Sequence, residues 1–520
     1  MSKSKWIFLC LVLCLGLTLS GPALAQAVKP LVHGAASEPR SLDPYFHSET
    51  PTNSMNSNIY DGLVAFDSEL NVVPALAEKW ENPDNLTWIF HLRKGVKFHD
   101  GSPFTAEDVA FSIKRCQTWP KSGFKSTVNQ VKTVEILDPY KIKITTPKPF
   151  GILHRKLAQL NIMCKKYVEK LGDEAQADKP NGTGAYKLKE WIKGDHLTLV
   201  ANENYFKGAP KIKEVVLRPL TNDATRTAAL LSGEVDIIDD VPVLDTARIK
   251  ADQKVEVVSR PGLRLIYLQM DQDREISPKA KGPDGKNPLL KLKVRKALYY
   301  GINEDAIVKH VMNGVAFPAS QFYPKAVFGY DETIKRPAYN PKKAKQLLKE
   351  AGYPNGFEIT ISSPNDRYVN DDKIAQAVAS SLAKLGIKID VQAIPKKTFF
   401  PMTDRREASF FLIGWSCATG DASAFLDGIA HTYNKEAGYG RYNRGRYSNP
   451  EVDKLIEAAS ATVNQEERLK YMQKAQKIAL SQDQAFIPLH FQVDLYAKSK
   501  KLNWKARADH YFCYYEMSMK

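Results

Sequence analysis

The chain has 520 residues, with 74 Lys and Arg against 58 Asp and Glu, for a formal net charge of +16. That length exceeds what one hydrophobic core supports and predicts two or three domains. The basic excess is spread along the chain, densest at Asp404–Glu407 and Arg444–Tyr447; nucleic acid binding calls for a concentrated basic stripe with interleaved aromatics, and that class is excluded.

Lys3 and Lys5 precede an apolar run from Trp6 to Leu19, and Ala23-Leu24-Ala25 places small residues where a signal peptidase reads. The run is shorter than the roughly 20 apolar residues that a spanning helix needs. Residues 1–25 therefore read as a cleaved signal, with Gln26 opening the mature chain. Cys10 and Cys14 follow leucines, where lipoprotein processing requires a small residue, so no lipid anchor is expected. Nothing after residue 25 is apolar enough to enter a membrane. The expected product is a soluble protein of an oxidising compartment, of net charge +14 once Lys3 and Lys5 are gone, since residues 1–25 contain no acid. Its cysteines, Cys116, Cys164, Cys417 and Cys513, are widely spaced without a CxxC, which rules out a zinc or thioredoxin motif. Buried thiols and a disulfide both remain open.

Along the mature chain, helical and strand periods alternate, which predicts a mixed α/β fold. Leu86, Trp88, Phe90 and Leu92 alternate with Thr87, Ile89 and His91 as a strand does. Thr105 and Asp108 form a capping box for a helix with Val109 and Ile113 inward. Residues 134–144 read as a hairpin turning at Asp138-Pro139. Asn340 and Pro341 open a helix that buries Ala344, Leu347, Leu348 and Ala351 and stops at Gly352. Next, Phe357, Ile359 and Ile361 form a strand. A helix over 371–385 carries Ile374, Ala377, Val378, Leu382 and Leu385 on one face and ends at Gly386, and a second strand holds Ile387, Ile389 and Val391. Strand, helix and strand with short joints make a βαβ crossover, hence a parallel sheet. The apolar run 409–415 fits a central strand. No low-complexity linker separates the domains, so the chain is expected to cross between them through strands that form a hinge, with a ligand cleft at the interface.

Catalytic signatures are absent from the sequence: there is no HExxH, no GxxxxGK[ST] and no GxSxG. Cys417 and His431 could imitate a thiol–imidazole pair, but nothing local supports them. Gly182-Thr183-Gly184 suggests a phosphate loop yet lacks a following helix start, so it reads as a tight turn. Asp239-Asp240 could serve acid–base chemistry; a solvated turn is the better reading.

From about residue 30 onward the chain resembles the family 5 extracellular solute-binding proteins, the group of dipeptide- and oligopeptide-binding components of ABC importers. The resemblance rests on Pro74–Trp80, Leu86–Arg93, Val96–Gly101, Phe104–Val109, Gly182–Tyr186, Val294–Leu298 with Ile302-Asn303, Tyr339-Asn340-Pro341, Tyr447–Pro450 and Ile487-Pro488-Leu489, in that order. It implies an α/β, bilobal, periplasmic-binding-protein-like fold of type II in its large three-domain variant. Residues 26–60, 184–268 and 488–520 would form lobe one, 61–183 a subdomain attached to it, and 269–487 lobe two. Crossings would fall near Tyr267-Leu268-Gln269 and Ile487-Pro488. A monomer would capture a peptide or carboxylate-bearing solute and dock on membrane permease subunits, with no catalytic residue, metal or cofactor.

Peptide binders of this family use an arginine for the ligand carboxylate, here Arg367, whose planar fork suits two parallel hydrogen bonds. Their ammonium-binding aspartate follows a Gly-Trp pair by three residues; here Gly414-Trp415 leads through Ser416 and Cys417 to Ala418, which carries no charge. Asp421 either replaces that acid or caps the following helix, where Phe425 and Leu426 turn inward. Trp415 offers the ligand an indole face. The expected ligand-binding set is Arg367, Trp415, Ser416, Asp421 and Tyr267. Without a compensating acid, free-amine ligands should bind poorly, which keeps open an opine, sugar, nickel chelate or acylated amino acid as cargo. A secreted hydrolase is the reading from another class.

Overall fold

Two stretches rich in β-branched and aromatic residues, Val255–Met270 and Phe486–Ser499, pair antiparallel along most of their length and hold both halves of the molecule together. The computed structural model describes residues 29–46, 49–365, 367–417 and 419–520. The signal segment 1–25 and Ala418 lie outside the described residues.

Twelve strands of the described residues form the main sheet: β1 (Leu31–Ala35), β2 (Tyr186–Ile192), β3 (His196–Ala201), β4 (Glu214–Pro219), β5 (Ile237–Ile238), β6 (Val255–Met270), β7 (Ala280–Lys281), β8 (Ala316–Pro318), β9 (Glu358–Pro364), β10 (Lys388–Ile394), β11 (Phe410–Ser416) and β12 (Phe486–Ser499). Their order is β7-β9-β11-β6-β12-β5-β1-β4-β3-β2, with β8 beside β12 and β10 beside β9. On the lobe boundaries that the motifs imply, β1 to β5 fall in lobe one and β7 to β11 in lobe two, while β6 and β12 run through both.

The β6–β12 register breaks in two places. Val255–Pro261 pairs with Ser499–Val493, and pairing resumes only at Leu265 opposite Phe491. Tyr267, Leu268 and Gln269 pair with β11 on one side and with Pro488, Ile487 and Phe486 on the other. A second register shift, between Ile266 and Tyr267, adjoins the crossing that the family motif suggests. Gly262 sits at the first break, and a Cβ there would lie 2.3 Å from Asp494 Oδ1 and 2.8 Å from the Gln492 carbonyl.

The run Leu265–Met270 is apolar on both faces because both faces are covered. Leu265 and Tyr267 join one core with Phe322, Phe425 and Phe486; Ile266 and Leu268 join another with Val294, Leu298, Val378 and Leu412. The βαβ unit is present as expected: β9 and β10 pair in parallel, joined by a helix over Asp371–Ala383 that buries Ile374, Val378 and Leu382. Asn340 caps its helix through the Lys343 amide at 2.9 Å. In the subdomain, Trp88, Phe90 and Leu92 point inward from the strand Thr87–Leu92, Thr105 and Asp108 close the capping box, and Thr133–Asp138 with Lys141–Thr145 makes the hairpin. Trp88, Phe90 and Ile142 share a core with Leu31, Leu197 and Leu217 of the lobe-one sheet. All four described cysteines are unpaired thiols.

Candidate functional site

In lobe one, β1 runs parallel to β4 and β5, and open parallel sheets take ligands beyond the carboxyl ends of their strands. At that edge lies a cavity of about 650 Å³, inside the range of roughly 300–1,000 Å³ typical of small-ligand sites. Its walls come from every part of the molecule: His33, Ala35, Asp239 and Asp240 from lobe one, Asn53 to Met55 and Ser57 from the helix α1 (Thr50–Ile59), Lys156 and Asn161 from the subdomain, Val369, Ser416 and Thr419 from lobe two, and Arg264, Gln492 and Asp494 from the crossing.

Arg264 is the cation at the hinge. It stands opposite Ser416 in the sheet, half-buried, its guanidinium 5.9 Å from the centre of the Tyr368 ring. Arg367 approaches the same ring at 5.2 Å. Neither guanidinium has a carboxylate partner among the described residues. Burial first, and then the Arg367 charge, pull Arg264 below its ordinary pKa, a strain that a ligand anion would relieve. Tyr368 can lie there because Gly414 has no side chain: a Cβ on Gly414 would meet the ring at 2.6 Å.

The five sequence-predicted residues separate. Ser416 lines the cavity. Arg367 is exposed beside Tyr368, one ring away from the lining residue Arg264. Trp415 lies on the opposite face of β11 from Ser416; it packs on Tyr442 at 5.3 Å, its indole nitrogen has no partner, and it is not on the cavity wall. Tyr267 is 1% exposed and its hydroxyl accepts from Gln269 at 2.8 Å, so a residue expected at the ligand is core, because its strand is covered on both faces. Asp421 is likewise interior: both its oxygens accept from Arg468 at 2.7 Å, Arg155 Nε lies 3.5 Å away, and the Ser423 amide donates to Oδ1 at 3.0 Å. The N-cap of the following short helix is Ala422, so Asp421 is chiefly an interior ion-pair group that also takes one amide of the first turn. Five acids the sequence did not single out as ligand groups line the cavity instead: Glu49, Asp239, Asp240, Asp494 and Asp509. Of the Asp239-Asp240 pair, expected as a solvated turn, Asp240 is exposed and Asp239 half-buried; burial first, then Asp240, push the Asp239 carboxyl up to about 7. Asp494 pairs with His510 at 2.6 Å.

The family model "Bacterial extracellular solute-binding proteins, family 5 Middle" matches residues 71–437. The chain belongs to family 5 of the bacterial extracellular solute-binding proteins. Among its family 5 relatives, heme-binding protein A of Haemophilus influenzae is 31% identical over 500 residues, covering 89% of this chain and 88% of that protein. The glutathione-binding protein GsiB of Salmonella paratyphi A is 30% identical over 510 residues, covering 96% and 95%. The structure of HbpA2 from Haemophilus parasuis superposes with a TM-score of 0.86 at 28% identity, over 94% of this chain and 99% of that one. The bilobal fold expected from the motifs is thus the fold of the family.

Family membership also clarifies what the sequence signals missed. Arg264 was visible as a charge in the otherwise apolar run Leu263–Leu268, just after Pro261-Gly262; a cation retained in a covered strand needs an anion. The thiol–imidazole pair does not form: Cys417 Sγ donates to the Asp421 carbonyl at 3.1 Å, burial pushes its thiol up to about 12, and His431 stacks on Tyr439.

Proposed function

We propose that this protein captures a short peptide or peptide-like carboxylate between its lobes and delivers it to the permease of an ABC importer, acting in the periplasm as a monomer after residues 1–25 are removed. The lobe boundaries are those the motifs imply, with the crossing at the register breaks between Pro261 and Tyr267. The observation that carries the ligand class is Arg264, a half-buried guanidinium without an acid partner on the wall of a ligand-sized cavity. A guanidinium fork matches a carboxylate through two parallel hydrogen bonds, and Arg367 across the Tyr368 ring adds a second positive charge. The glutathione-binding name of one relative supports a peptide cargo. Acids on the same wall as Arg264, namely Asp239, Asp240 and Asp494, suit a ligand that also carries an ammonium, which the heme named for the other relative lacks. Binding without turnover is the proposed activity.

Mass spectrometry of ligand co-purified from the native host tests this reading. Intact peptide in stoichiometric amount is expected; a sugar or metal chelate alone would end the peptide assignment, and cleaved fragments would revive the hydrolase. For the anchor, Arg264→Ala should weaken carboxylate-ended peptides about tenfold by calorimetry, less than for a fully buried pair because the side chain keeps some solvent. Arg367→Ala, one ring further out, should have a smaller effect.

A further inference from the structure

The cavity wall carries acids as well as the Arg264 cation. Strand β5 hands the chain to Asp239 and Asp240 at the lobe-one edge, where Asp239 Oδ1 accepts from the Ala36 amide at 2.6 Å. Asp240, at φ 44°, is exposed to the cavity, and its carboxylate meets no donor among the described residues. The nearby Arg226 guanidinium offsets part of the Asp239 charge but makes no ion pair with either acid. Arg226 spends itself on the backbone carbonyls of Asp239, Asp240 and Leu220 and on the Asp223 carboxylate. Among the other lining acids Glu49 lies beside Arg40, Asp494 beside His510 and Asp509 beside Arg507. Asp239 and Asp240 have no ion pair of their own among the described residues, and the imidazole that feels Asp240, His510, is already held by Asp494. Lys156 on the subdomain wall feels Asp421 and Asp427 rather than these acids.

A separate observation marks the same wall as a recognition surface. His33, 2% exposed, lines the cavity from β1; its Nδ1 is taken by the Tyr514 hydroxyl at 2.9 Å, while its Nε2 has no partner. Gln492 Nε2, from the crossing, is also unpartnered. Buried polar atoms are nearly always satisfied in native proteins, and those that are not are commonly reserved for a function.

We infer that the ligand's free ammonium docks against Asp239 and Asp240 of lobe one while its carboxylate faces Arg264 at the hinge, so that the cavity selects zwitterionic, free-amine ligands in one orientation. This rests on the peptide reading above. It reverses the expectation drawn from Ala418, because the acid missing from the Gly-Trp loop is supplied from the opposite lobe. Burial and the mutual repulsion of the two carboxylates are both relieved when a cation arrives, and charge-assisted hydrogen bonds to an ammonium are about twice as strong as neutral ones.

The test uses the full mature chain and one randomised tripeptide pool supplied free, N-acetylated and C-amidated, with dissociation constants from native mass spectrometry and thermal shift. The free pool should bind at least about tenfold tighter than the acetylated one. Asp240→Asn, which keeps a residue tolerant of positive φ, should erase that preference while leaving the ligand-free melting temperature unchanged; Asp239→Asn should reduce it. Equal binding of free and acetylated pools by the wild type would overturn the orientation while leaving the peptide reading intact, and so would a preference surviving both substitutions. If none of the three pools binds, the peptide reading itself fails and the orientation falls with it.

Discussion

Asp421→Ala is expected to remove about 3–5 kcal/mol from the unfolding free energy of the ligand-free protein, the cost of breaking a buried ion pair from one side. Asp421 is fully buried, and the side chains of Arg155 and Arg468 around it are 7% and 1% exposed. Its loss leaves two guanidiniums facing each other in a low-dielectric space. The contact also joins parts of the chain far apart in sequence: Arg155 comes from the subdomain and donates to the carbonyls of Leu70 and Gly420 at 3.0 Å, whereas Arg468 comes from the lobe-two helix Gln465–Lys477. Burial alone would push the Asp421 carboxyl up, but Arg468 and Arg155 outweigh it and hold the group well below the ordinary carboxylate range. A carboxyl depressed in the folded state stabilises fully above its unfolded pKa and loses that contribution as pH falls. The difference between wild type and Asp421→Ala should therefore be constant at neutral pH and shrink below about pH 4. Urea unfolding at several pH values measures it. A variant with unaltered apo stability and reduced peptide affinity would return Asp421 to the ligand.

Asp421 also shows where sequence reading stops. Local patterns were legible because neighbours in the chain decide them: the alternation around Trp88 and Phe90, the Thr105–Asp108 capping box, the βαβ unit of 357–391, and the Asn340 cap all have the expected form. The candidate site was legible only at Ser416 and in the neighbourhood of Arg367. Which face of β11 looks into the cleft depends on strand β6 being covered on both sides, a property of the assembled sheet. The same property sends Tyr267 into the core and Trp415 away from the ligand, though both are reasonable ligand groups by type. The partner of Asp421 lies 47 residues away in Arg468, beyond any local period. Asp239-Asp240 was visible as a pair but read as solvated, because the chain segment gives no sign that β1 and β5 carry it to the mouth of a cavity. Charge placement in this protein follows from topology, and topology had to be seen.

The Gly182-Thr183-Gly184 motif gives the second large effect: Gly182→Ala should cost about 3 kcal/mol, the upper part of the range for overpacking a site that cannot yield. The reason is close approach of two backbones, since neither glycine adopts a positive φ. A Cβ on Gly182 would lie 2.0 Å from the Ile59 carbonyl oxygen, and one on Gly184 would lie 2.5 Å from the Ile59 carbonyl carbon. That carbonyl is fixed, because it accepts from the Gly184 amide at 2.9 Å, while the Gly182 carbonyl accepts from His99 at 2.9 Å. Ile59 ends helix α1, whose Asn53, Ser54, Met55 and Ser57 form part of the cavity wall. A methyl at 182 must therefore push α1 toward the ligand, so peptide affinity should fall together with the melting temperature. Gly194→Ala is the control: at φ 80° with nothing within 4 Å of the added carbon, it should incur only the turn strain of about 1–2 kcal/mol and leave affinity untouched. Equal losses in the two variants would mean that backbone conformation, not contact with α1, is what the motif protects.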